Sequence, residues 1–158
     1  MTRIVIDTVI RAPVELCFEL ARDVAVHAKS AAFSGERLVE PGRMSGLLEL
    51  GDLVTFESRH FGARHRFTTK IIQVEPPHIF VDEMVHGAFY SLTHIHEFHP
   101  HQSGTLMRDT LEWQAPLGWL ADALFLKRHM DWFVRTKQQH LKAIIESSYA
   151  RQSKGGAT

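Results

Sequence analysis

The sequence predicts an α+β fold: a curved antiparallel sheet of about six to seven strands wrapped on a long C-terminal helix, with two short helices after strand 1. Three observations carry this expectation. Residues 3–11 alternate with a period of two, residues 51–113 are mostly strand interrupted at turn-forming positions, and after Pro116 and Gly118 the apolar spacing lengthens to that of a helix.

In the first strand Ile4, Ile6, Thr8 and Ile10 share one face, and Arg3, Asp7 and Arg11 are among those on the other, the pattern of a strand with one dry side. Proline suits a first helical turn, so Pro13 opens a short amphipathic helix that carries Leu16, Cys17, Phe18 and Leu20. A second short helix is expected around Val24–Ser30. Residues 31–47 contain Gly35, Pro41, Gly42 and Gly46 and read as irregular chain with a short strand at Glu36–Glu40.

From Gly51 to Trp113, breaks at Phe61-Gly62, Pro76-Pro77, His86-Gly87 and Pro100–Gly104 define a meander of about five strands. Each strand offers one face to a concave side. Those faces are Val54, Phe56, Ser58 and His60, then Phe67, Thr69 and Ile71, then Phe80, Asp82 and Met84. The next two are Tyr90, Leu92, His94, His96 and Phe98, then Met107, Asp109, Leu111 and Trp113. Beyond Gly118, Trp119, Ala123, Leu126, Met130, Phe133, Leu141 and Ile144 recur at helical spacing. A helix of about 28 residues is about 40 Å long, and only a broad sheet covers a stripe of that length. Residues 1–149 form one domain in this reading, and 150–158, small and polar, form a disordered tail.

Composition narrows the function classes. A chain of 158 residues fits one core, and 44% hydrophobic with 23% charged residues is a globular balance. No apolar run approaches the roughly 20 residues of a bilayer span, so integral membrane association is not expected. The opening MTRIVIDTVI lacks a signal-peptide cleavage site, which points to the cytoplasm. Eighteen basic and eighteen acidic residues cancel, which argues against nucleic acid as a partner. The local cluster Arg59, His60, Arg64, His65 and Arg66 reads as a solvated hairpin end, with an anionic contact site as the alternative. A single cysteine, Cys17, excludes an intrachain disulfide and a cysteine-rich zinc site and reads as a buried thiol.

The run Arg11-Ala12-Pro13-Val14-Glu15 with Phe18 resembles the first strand-to-helix junction of the START / Bet v 1-like helix-grip superfamily (SRPBCC), which joins lipid-transfer domains, plant pathogenesis-related allergens and polyketide cyclases. Further stretches resemble small bacterial ligand-binding members, some labelled cell division inhibitor. They are Gly51-Asp52 with Val54, Phe61-Gly62, Pro77 with Phe80 and Asp82, Gly87 with Phe89, His94 with His96 and Phe98, Gly104-Thr105 with Asp109, and Pro116 with Gly118. The resemblance spans residues 3–147 and implies the helix-grip fold and a cavity. The superfamily holds enzymes, carriers and sensors, so fold alone does not choose among them.

His94 and His96 lie two apart on a strand, so both project from one face about 7 Å apart. A symmetric hairpin through Pro100–Gly104 sets His94 opposite Asp109, a pairing that fixes the imidazole tautomer and raises its pKa. Asp82 has the parity to join them. Three readings follow: a self-satisfied polar network, a site that anchors a guest's hydroxyl, carbonyl or carboxylate, or a catalytic or metal-binding group. The candidate ligand-binding set is Phe56, His60, Asp82, Met84, Tyr90, His94, His96, Met107, Asp109, Leu111, Trp113 and Met130, with no metal and no cofactor assigned. His129 and His140 are expected on the polar flank of the long helix.

The function expected first is binding of a small apolar or amphipathic ligand, as a carrier or sensor. The alternative is a polyketide cyclase/dehydratase-like enzyme using a His-Asp pair. A homodimer stays open, because Trp119, Phe125 and Trp132 cannot all face inward on one helix. No serine nucleophile turn, phosphate loop or dinucleotide fingerprint occurs.

Overall fold

In the computed structural model, which describes residues 1–60, 62–116 and 125–156, the initial alternation becomes β1 (Thr2–Ile10), with Ile4, Ile6, Thr8 and Ile10 buried. Pro13, in extended conformation, immediately precedes α1 (Val14–Arg22). Asp23 then caps α2 (Val24–Ala31): its carboxylate accepts from the N–H of Ala25 at 2.9 Å and of Val26 at 3.2 Å, a cap worth about 1 kcal/mol. One 3₁₀ turn (Ala32–Ser34) leads into β2 (Arg37–Val39).

The meander follows as β3 (Leu53–His60), β4 (Ala63–Glu75), β5 (Ile79–His86), β6 (Ser91–His101) and β7 (Gly104–Gln114). The strands turn where the glycine and proline breaks predict. All seven form one sheet in the order β1-β7-β6-β5-β4-β3-β2, with β1 antiparallel to β7. Irregularities in β4, between Thr68 and Thr69 and between Ile71 and Gln73, add local bend and twist to a sheet that must curve around a helix. Gly104 is required where β7 starts. Its φ is +135°, and a side chain there would strike the carbonyl of Ile10 and the backbone of Ala12.

The terminal helix α3 (Lys127–Gly155) has 29 residues, the expected length. Leu126 of the expected stripe directly precedes it, and Trp119 and Ala123 lie outside the described residues. At the other end it runs through Arg151 to Gly155 rather than stopping at Tyr149. Alanine, arginine, glutamine and lysine sustain a helix, and the first strong breaker is the Gly155-Gly156 pair. The inward face carries Val134, Gln138, Leu141 and Ile145, all buried, so Ile145 takes the place expected for Ile144.

Two apolar clusters bracket this helix. One joins Ile10, Cys17, Phe18, Phe80, Phe98, Met107, Leu141 and Ile145 beneath α1, with Phe18 edge-on to Phe80 and Phe98 at 5.9 and 5.6 Å. The other joins Ile4, Ile6, Leu92, Leu111, Trp113 and Val134. A third, of Val24, Leu48, Val54, Phe56 and Ile71, lies under α2. Among the described residues no helix is long and apolar enough to cross a membrane.

Candidate ligand cavity and its buried histidine–aspartate network

Between the second and third clusters the inner sheet face and α3 do not meet, and a cavity of about 340 Å³ is left. Strand alternation supplies the wall: Val54 and Phe56, Thr69 and Ile71, Phe80 and Asp82, Leu92 and His94 come in pairs two residues apart, with Leu111 beside them. Met130, Phe133, Val134 and Lys137, spaced three and four apart on α3, form the roof. The volume lies within the range of small-molecule pockets, about 300–1,000 Å³.

One side of this wall is backed by a buried polar network. His96 Nδ1 lies 2.6 Å from Asp109 Oδ1 and its Nε2 lies 3.2 Å from Asp82 Oδ2. Burial disfavours a charged His96, yet the two carboxylates outweigh it and raise the pKa to about 9. His96 is therefore an imidazolium between two carboxylates. Burial pushes Asp109 and Asp82 upward, but the histidines prevail and hold both below the usual range, Asp109 well below. Phe80 stacks on the His96 ring at 4.2 Å. Behind it, the Gln138 amide donates to Asp109 Oδ2 and accepts from the Thr8 hydroxyl, tying α3 to β7 and β1.

His94 differs. Burial and the neighbouring His96 charge lower its pKa despite Asp109, so it is neutral. Its Nε2 stands 3.4 Å from Asp109 Oδ1, and neither atom has an aligned hydrogen bond. Asp82, His94 and His96 also bring donor atoms within 4.8 Å of one another, a set with the composition of a two-histidine, one-carboxylate metal site. A divalent ion would have to displace the proton held on His96.

No family model and no curated protein matches the sequence. Solved structures do. A protein of Chromobacterium violaceum shares 17% identity at TM-score 0.73 over 92% of this chain and 99% of that one. A protein of Thermus thermophilus shares 16% at TM-score 0.74 over 93% and 99%. Ginseng major latex-like protein 151, from Panax ginseng, shares 14% at TM-score 0.67 over 90% and 95%. The fold they share with this chain is the helix-grip fold. At such identities the likeness establishes fold, and the site rests on its own geometry.

The helix-grip sheet distributes the sequence candidates unevenly. Phe56, Asp82, His94, Leu111 and Met130 line the cavity, while His96 and Asp109 stand directly behind it. Met107 and Trp113, both wholly buried, are packed core instead of wall. Met84 turns aside over Gly87. Tyr90 is a correction: it precedes β6 and is 69% exposed, because its N–H bonds Gln114 at the sheet end while its side chain faces water. The side chain of His60 lies outside the described residues. The hairpin turns at Gln102-Ser103, so His96 faces Asp109 across the ladder and His94 faces Leu111. It is accordingly His96, not His94, whose pKa rises. At the basic hairpin end, Arg66 and Arg64 reach Glu57 at 3.3 and 3.6 Å, and His65 and Arg66 border the cavity.

Sequence reasoning missed His27, Glu36 and Lys137, which also line the cavity. Lys137 donates to His27 Nε2. Burial, reinforced by the lysine charge, holds His27 well below its usual pKa, and its ring stacks on Phe56 at 5.2 Å. A signal for Lys137 existed: it continues the Met130, Phe133, Val134 stripe at helical spacing, and a lysine inside an apolar stripe is unusual. His129, expected on the polar flank, also borders the cavity, whereas His140 is exposed and packs on Phe33 at 5.2 Å.

Proposed function

We propose that this chain binds a small apolar or amphipathic molecule between sheet and α3, acting in the cytoplasm as a carrier or sensor. The observation that carries the reading is the cavity itself. Protein interiors pack about as densely as organic crystals, and a hollow of about 340 Å³ walled by Val54, Phe56, Ile71, Leu92, Leu111 and Val134 forfeits contact energy that a guest restores. The test is native mass spectrometry of purified protein, joined to thermal-shift screening against lipids and aromatic compounds. A guest at 100 times its Kd adds about 2.7 kcal/mol of stability. No bound mass and no shift across the panel would contradict the proposal.

A second reading has one observation in its favour: His94, neutral, lines the cavity with its Nε2 3.4 Å from Asp109. A neutral imidazole so placed is suited to take a proton from a carbonyl substrate, as in cyclase or dehydratase chemistry. His94→Ala then abolishes turnover and leaves guest binding intact. If wild-type protein leaves candidate polyketide and aromatic carbonyl substrates unchanged, this reading fails.

A further inference from the structure

The charges around the cavity are unequally engaged. Asp82 is held by the His96 imidazolium, and Arg66 by Glu57. The Glu36 carboxyl is shifted by burial toward its neutral form, against the pull of Lys137. Among the described residues neither Glu36 nor Lys137 forms an ion pair, and the Lys137 ammonium donates to the neutral ring of His27. An ammonium carries three donors, so two are available to a guest in the cavity that Lys137 lines, where an arriving anion is attracted. The stem of Lys137 runs along the same helical face as Val134 and Met130, which places the charge at the edge of the apolar lining.

We propose that Lys137 is the group that recognises the guest, and that the cavity takes an apolar molecule bearing a carboxylate, with the carboxylate on Lys137 beside His27 and the apolar body against Leu92, Leu111, Val54 and Ile71. This rests on the ligand-binding reading above and specifies its ligand class. His94 and Asp82, on strands across from α3, then face the body of the guest and any hydroxyl or carbonyl it carries.

The experiment compares three probes of equal chain length, decanoate, decan-1-ol and methyl decanoate, by titration calorimetry, and repeats the comparison with 2-naphthoate and methyl 2-naphthoate for a rigid body. In wild-type protein the acid binds at least about tenfold more tightly than its ester, the size expected for a charge-assisted hydrogen bond. Lys137→Met removes that preference, so that acid and ester bind alike, and Lys137→Arg retains the preference. Equal binding of acid and ester to wild type, or an acid preference that survives in Lys137→Met, overturns the inference and leaves the cavity reading standing. If none of the five probes binds, the cavity reading falls and this inference falls with it.

Discussion

At His96 an imidazolium lies between two buried carboxylates, and removing it strands both. His96→Ala is therefore expected to cost about 3–5 kcal/mol, the cost of breaking a buried ion pair from one side, read as a fall in urea midpoint. The pH dependence follows from the direction of each shift. The folded pKa of His96 is raised to about 9, above an unfolded value of about 6.5. Its contribution is complete below about pH 6.5 and is lost as pH climbs through about 9. Asp82 and Asp109 are depressed, so theirs is present above about pH 4 and lost on acidification. Wild-type stability should thus decline between pH 7 and pH 10, and His96→Ala should lack that decline; equal slopes would refute the charge assignment. Strand parity alone made Asp82, His94, His96 and Asp109 legible as one group. Which histidine is charged was not legible, because that depends on a hairpin register set by Gln102-Ser103. His27 and Glu36 come from segments whose approach to the sheet is a tertiary fact, whereas Lys137 was marked by its place in the apolar stripe of α3.

Among the elements, α3 does most to shape the site, and Gln138 is its polar link to the sheet. Gln138→Ala leaves Asp109 Oδ2 without its amide donor and the Thr8 hydroxyl without its acceptor. A loss of about 2 kcal/mol is expected in chemical denaturation, whereas a change under about 0.5 kcal/mol would show that the link contributes nothing. The last turns of α3 behave differently. Residues 151–156 are helical through Gly155 yet exposed, so deletion of 151–158 should leave stability within about 0.5 kcal/mol of wild type. A larger loss would mean that this segment packs on something. The sequence showed the length of α3 through its period but placed its C-terminal end too early. Exposed turns rich in good helix formers carry no apolar stripe to read, and Ile144 and Ile145 are equally apolar neighbours of which one faces the core.

Across the whole molecule, the core is solid beneath α1 and hollow between Leu92 and Leu111 on one side and Val54 and Ile71 on the other. Element order and the antiparallel meander followed from period and turn chemistry, whereas the pairing of β1 with β7 is seen only in the structure. The hollow did not, since a cavity is a difference between the spacing of two layers and the volumes of the side chains between them. That is why Met107 and Trp113, with the right parity, proved to be filled core. The most direct test is methyl NMR of labelled protein titrated with 2-naphthol. Saturable shifts are expected at Leu92, Leu111, Met130 and Val134, which line the cavity, with Val5 and Val85 on exposed positions unmoved. Shifts confined to Val5 and Val85, or none at the four lining residues at any concentration, would contradict a guest-binding hollow.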